Sequence, residues 1–211
     1  MDELITDIKK VQGFYLITFS GGGSLKVPQP VLRAFPMKVG GQMNPDIYFS
    51  SHHKEVVRFA MERAAYLLER KDYPVKQLHE KLIIAGYTEE VSDEVTHYLL
   101  TRGFLDDKRY AAQFVQRKKG KMGVRRIRQE LLTRGISKTH ADEALAVAIN
   151  DEDQTMSAAD HARKYIRTRT NVDALKLKNN TIAMLARRGY SFEVAKKAYE
   201  SALESSENPD N

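Results

Sequence analysis

The chain has 211 residues, 42% of them hydrophobic and 29% charged, with no cysteine and a formal net charge of +6. That composition suits a globular protein with a substantial core and argues against disorder along the whole chain. The missing cysteines exclude disulfides, thiolate nucleophiles and cysteine-based zinc sites. The start, Met1-Asp2-Glu3-Leu4, is acidic and lacks the basic and apolar runs of a signal peptide. No apolar run approaches the ~18 residues of a bilayer span. The expectation is a cytoplasmic protein with no membrane partner, acting as a monomer.

The first fifty residues read differently from the rest. Phe14 to Phe19 is aromatic and β-branched, Ser20 to Gly23 reads as a turn, and Ser24 to Val27 alternates polar with apolar until Pro28. This predicts a β-hairpin, with Leu4 to Val11 as a candidate further strand. The three glycines could suggest a phosphate loop, but no Gly-Lys-Ser/Thr follows and they open no helix. Val31 to Phe35 reads as a helical turn, and Gly40, Gly41 and Pro45 as loop.

From about His53 onward apolar residues recur at three- and four-residue steps, as on one face of a helix. Three stretches then align on a glycine. Leu82, Gly86, Tyr87 and Thr88 match Leu131, Gly135, Ile136 and Ser137, and again Leu185, Gly189, Tyr190 and Ser191. In each, leucine precedes the glycine by four residues, a large apolar residue follows it, and then comes Thr or Ser. A glycine can end a helix in the left-handed conformation that a side chain penalises. The apolar residue can fold back on that helix, and the hydroxyl can cap the next one. Gly103 closes a helix in the same manner.

The expected fold is therefore mainly α, with three tandem three-helix units after a small N-terminal β-hairpin segment. The expected limits are 1–52 for the extension, 53–105, 106–152 and 153–205 for the repeats, and 206–211 for a disordered tail. Asn150 to Asp153 reads as the link between the second and third units. The helix–turn–helix pattern alone does not establish a DNA reader, because glycine turns occur in any helical repeat.

Little in the chain points to catalysis, and the expectation is a non-enzyme with no cofactor and no metal. The six histidines form no His-x-x-x-His pair. Asp106 and Asp107 are better placed to cap and charge a helix start than to do acid–base work. Tyr66, Tyr98, Tyr110, Phe114 and Tyr165 fall at helical spacing and are expected in the core.

Charge carries the sharper signal. Residues 108–138 hold eleven Lys/Arg against Glu130 alone, while 139–157 is acidic by five charges. With one acid in the segment, internal pairing is expected to be slight, so the cations should meet a polyanion or an acidic protein. The cluster comprises Lys108, Arg109, Arg117, Lys118, Lys119, Lys121, Arg125, Arg126 and Arg128, with Gly120 and Gly123 holding the loop close to that partner. Arg163, Lys164, Arg167 and Arg169 form a second, weaker patch.

The run Arg102-Gly-Phe-Leu-Asp-Asp-Lys-Arg-Tyr-Ala111, then Phe114-Val115 and Gly123-Val-Arg-Arg-Ile-Arg-Gln-Glu-Leu-Leu-Thr-Arg-Gly-Ile-Ser137, resembles the RecX regulatory proteins of bacteria. Leu185-Ala-Arg-Arg-Gly-Tyr-Ser-Phe-Glu-Val194 resembles that family's C-terminal repeat. The turn Arg70-Lys-Asp-Tyr-Pro74 departs from the family's usual Ser- or Thr-capped turn. The resemblance implies a curved, elongated array of repeats that modulates the RecA recombinase, usually by inhibition, from the groove of the RecA–DNA filament. The basic residues named above would then serve as electrostatic contacts to DNA, single- or double-stranded, or to RecA. A helical-repeat protein that binds DNA directly, without RecA, is the alternative.

Overall fold

The computed structural model describes residues 1–169 and 172–207, with side chains to residue 204. Its contacts divide the chain into two compact units, Met1–Asp106 and Asp107–Asn211.

The first unit opens with strands β1 (Glu3–Val11), β2 (Phe14–Phe19) and β3 (Ser24–Pro28), then helix α1 (Gln29–Ala34), strand β4 (Gln42–Met43) and helix α2 (Pro45–Ser51). The hairpin of β2 and β3 is part of a four-stranded antiparallel sheet ordered β3-β2-β1-β4. Alternation puts Ile17, Phe19 and Val27 on the buried face with Ile5. Pro45, read as loop, instead opens α2. Proline fits a first helical turn, and the Asn44 side chain accepts a hydrogen bond from the Asp46 N–H (2.9 Å).

Three longer helices complete this unit: α3 (His53–Arg70), α4 (Val75–Ile84) and α5 (Glu89–Thr101). Val56, Ala60 and Ala64 from α3, Leu78 and Leu82 from α4, and Val91 and Val95 from α5 share one core with the sheet. Tyr66 and Tyr98, expected inside, are 49% and 44% exposed. Each ring instead lies under guanidinium groups, Arg63 and Arg70 over Tyr66 and Arg102 over Tyr98.

The second unit holds α6 (Asp107–Lys118), α7 (Val124–Thr133), α8 (Lys138–Ala148), α9 (Asp151–Arg167), α10 (Ala174–Arg187) and α11 (Phe192–Glu207). One cluster gathers Tyr110, Phe114, Val115, Ile127, Leu131, Ile136 and Leu145. A second gathers Ala158, Ala159 and Ala162 of α9 with Ala195, Ala198 and Ala202 of α11, plus Leu185 and Tyr190. Those alanines let α9 and α11 pack closely along their length. Asp151, Glu152 and Asp153, read as a link, form the first turn of α9, where Asn150 caps the Asp153 N–H and negative charge suits the helix dipole. Helix α11 runs to Glu207, and the rest of the expected tail, 208–211, lies outside the described residues.

The three repeat turns share one geometry. Gly86, Gly135 and Gly189 have φ of +95°, +90° and +91°. Their N–H groups donate to Ile83, Leu132 and Ala186, and the following N–H groups of Tyr87, Ile136 and Tyr190 donate back to Leu82, Leu131 and Leu185. This is the Schellman pattern, in which the residue after the glycine packs on the leucine four before it. Tyr87, Ile136 and Tyr190 are all buried. The hydroxyls of Thr88, Ser137 and Ser191 then accept from Val91, His140 and Val194 N–H groups at 3.3, 3.1 and 3.2 Å. Helix α4 has no such cap, because Pro74 occupies its N-cap.

Candidate functional site

The basic segment runs from α6 through a short loop into α7. Arg117 and Lys118 close α6, where cations suit the negative end of the helix dipole. Arg125 and Arg126 stand in the first turn of α7, which has no acidic residue. Cations are disfavoured at that end, so the placement needs a local reason.

The reason is the end of α10. The Gly123 N–H donates to the Arg188 carbonyl (2.9 Å) and the Arg125 N–H to the Gly189 carbonyl (3.1 Å). The Val124 N–H donates to Oε1 of the buried Gln154 (3.1 Å). Three N–H groups at the start of α7, which a helix leaves unpaired, thus find partners in the third repeat. The carbonyl end of α10 supplies negative potential beside Arg125 and Arg126. A Cβ on Gly123 would collide with the Gly189 and Tyr190 backbone, and one on Gly189 with Arg126. This corrects the sequence reading of Gly123: its close neighbour is the chain's own third repeat. Gly120, with φ +78°, has open space around it.

The expectation of slight internal pairing is also corrected. Lys108 meets Glu143 (3.0 Å), Lys119 meets Asp153 (2.8 Å) and Arg128 meets Asp142 (2.6 Å), so acids from the following segment fold back onto the cluster. Lys118 and Arg126 share Glu130 (3.7 and 3.5 Å). Lys118 and Arg134 also flank the Phe114 ring. These pairs are partly exposed, so each contributes little to stability. Arg109 has an intramolecular contact of its own. Arg117, Lys121 and Arg125 are exposed and, among the described residues, have no ion-pair partner.

In the second patch Arg163 pairs with Asp160 and Arg169 stacks on Tyr165, 3.6 Å from its centroid. Lys164 and Arg167 are exposed. Tyr165, expected in the core, is only half-buried.

Lys121 and Arg126 meet two further cations. With Arg187, Arg188, Met122 and Met184 they line a cleft of about 430 Å³ between the second and third repeats. The sequence reading passed over Arg187 and Arg188 because they sit inside the repeat-turn motif. Two adjacent arginines beside the turn glycine were the available signal. His161 interacts with two of these residues, Arg188 and Lys121. Burial, then the Arg188 guanidinium, hold its pKa below the ordinary value, and Lys164 adds to this. A hydrogen bond with the Lys121 backbone and the Asp160 carboxylate act the other way. Its ring also lies 6.1 Å from that of Tyr190 (centroid to centroid), whose hydroxyl shares a hydrogen bond with Ser157 (2.9 Å).

Among the described residues, no group of three or more His, Asp or Glu is placed to hold a metal ion. No described helix is long and apolar enough to cross a membrane.

Tandem three-helix modules behind a small antiparallel sheet, with cations concentrated on the second module, define a class of helical-repeat protein. Family models specify it further: residues 60–104 match the first three-helix domain of RecX, and residues 106–145 match its second. A regulatory protein RecX of Clostridium botulinum (strain Eklund 17B / Type B) is 30% identical over 79% of each chain. One from Vibrio parahaemolyticus (serotype O3:K6, strain RIMD 2210633) is 33% identical over 63% of this chain and 84% of its own. The fold matches a crystal structure of regulatory protein RecX with a TM-score of 0.66 and 23% identity, covering 97% of this chain and all of that one. The crystal structure of RecX from Lactobacillus salivarius gives the same TM-score at 19% identity, over 72% of this chain and 99% of that one. The chain belongs to the RecX family of regulatory proteins, which is not an enzyme family.

Proposed function

We propose that this protein inhibits RecA recombinase by binding in the groove of the RecA–DNA filament, and so acts on DNA repair and recombination. Family membership carries the reading, and the cation-rich second repeat supports it. The protein acts by binding, as a cytoplasmic monomer, and contacts on successive repeats add avidity. Arg117, Lys121 and Arg125 are the leading contacts, since forming them breaks no internal ion pair. Lys108, Lys118, Lys119, Arg126 and Arg128 contribute by exchanging internal carboxylates for phosphates or for carboxylates of the partner. Arg109 belongs to the same surface, and Arg163, Lys164, Arg167 and Arg169 extend it.

RecA-catalysed ATP hydrolysis on single-stranded DNA tests this. Hydrolysis should fall at stoichiometric ratios of this protein to RecA, and the triple variant Arg117→Glu, Lys121→Glu, Arg125→Glu should restore it. Unchanged hydrolysis with tight binding to bare DNA would favour the alternative, a DNA-binding protein that works without RecA. The cationic cleft is the observation that keeps this alternative in play.

A further inference from the structure

We propose that the cleft lined by Lys121, Arg126, Arg187 and Arg188 is a phosphodiester-binding site that seats a nucleic-acid strand across the second and third helical repeats. This rests on the reading that the second unit meets DNA, and it adds a specific place and two residues outside the basic segment.

Four cations from two modules face one space, and none of the lining residues is acidic. Among the described residues, Arg126 alone of the four forms an ion pair, with Glu130 at 3.5 Å. Lys121, Arg187 and Arg188 form no ion pair among the described residues, although acids neutralise much of the neighbouring surface. The Arg188 Nε–H instead points at the Met184 sulfur (3.2 Å), a weak acceptor. The Arg126 guanidinium lies 3.5 Å from the Arg187 carbonyl. Like charges are thus held together by the fold, through the hydrogen bonds that fasten α7 to the end of α10.

The bland reading is that Arg187 and Arg188 merely suit the negative end of α10. It accounts for those two but not for Lys121, which comes from a loop 66 residues before Arg187 and faces the same cleft.

Backbone chemistry favours a nucleic-acid strand. Every nucleotide carries a phosphate, so one strand brings more than one charge to the cleft without a run of acidic side chains. Guanidinium groups also match phosphate oxygens bidentately. Met122 and Met184 give the cleft an apolar, adaptable floor against which a sugar can rest.

The test is fluorescence anisotropy of a single-stranded oligonucleotide with the full chain across a salt series. Arg187→Gln with Arg188→Gln should weaken binding about tenfold or more. The slope of log affinity against log salt should flatten by about 0.7 for each phosphate that is no longer neutralised. Arg187→Lys with Arg188→Lys should keep most of the slope. The backbone carbonyls that hold α7 are untouched in both, and circular dichroism checks the fold. In parallel, inorganic phosphate should raise the NMR titration midpoint of His161 in the wild type and not in the glutamine pair.

Wild-type affinity and slope in the glutamine pair would overturn the cleft. If Arg117→Gln with Arg125→Gln then abolished oligonucleotide binding, the wider basic surface would survive without it. If the glutamine pair lost only binding to RecA filaments and the wild type ignored the oligonucleotide, the cleft would be a protein-carboxylate site, again against the proposal. If oligonucleotide binding depended on the cleft but RecA hydrolysis never responded to the protein, the cleft would stand and the RecA reading would fall.

Discussion

The turns at Gly86 and Gly189 have the same backbone, the same hydrogen bonds and the same buried tyrosine after the glycine, yet they hold different neighbours. Against Gly86 lie Phe14 and Pro28 of the N-terminal sheet, a Phe14 Cβ only 2.9 Å from where a Cβ would stand. Against Gly189 lies the first turn of α7, with the Arg126 N at 2.5 Å from that position. One turn is covered by a side chain and strand, the other by a helix terminus whose N–H groups it satisfies. A Schellman turn therefore does two things in this chain. It ends its own helix, and its side-chain-free glycine is a flat place where another element of the same unit seats.

The two glycines should therefore differ in sensitivity. Gly189→Ala should cost the most, about 4 kcal/mol, since left-handed strain of about 1–2 kcal/mol adds to a collision with unyielding backbone. Chemical denaturation measures it, and a loss below about 1 kcal/mol would mean that α7 does not seat there. Gly86→Ala should cost about 2–3 kcal/mol, because the same strain meets a side chain that can shift a little.

Next comes Gln154→Leu, which keeps the bulk but removes the acceptor for the Val124 N–H. A buried donor left unpaired costs about 1–3 kcal/mol. Hydrogen exchange at Val124 should quicken in that variant, and unchanged exchange would show that Gln154 plays no part in fixing α7. Gly103→Ala sharpens the comparison from the other side. Gly103 has φ +75° but nothing near the added atom, so only the strain of about 1 kcal/mol remains. A loss as large as that at Gly189 would show that backbone conformation, not docking, governs these turns.

The smallest effect concerns pH. The pKa of His161 is lowered in the folded protein from 6.5, so protonation favours the unfolded chain. Its contribution is fully present above pH 6.5 and is lost as pH falls through the lower, folded-state value. Thermal melts between pH 8 and 5 should fall more steeply for the wild type than for His161→Gln; parallel curves would remove His161 from the set of groups that sense the cleft.

Much of this was legible in the residues. The glycine turns and the Thr88, Ser137 and Ser191 caps rest on contacts within about six positions, so neighbouring residue types suffice to predict them. The aromatic spacing misled at Tyr66 and Tyr98, because helical periodicity cannot tell a buried stripe from one covered by arginines.

Charge shows the boundary most clearly. By itself the sequence determined that residues 108–138 carry a large excess of cations on helices and the loop between them. Only the tertiary structure decided which were neutralised, since Asp142, Glu143 and Asp153 lie outside that segment and reach it by the folding of α8 and α9. It alone brought Arg187 and Arg188 to Lys121 and Arg126, across a separation of 61 residues in the case of Arg126 and Arg187. Coulomb interaction depends on distance in space, and a helix turn of local origin can end beside any element that packing delivers to it.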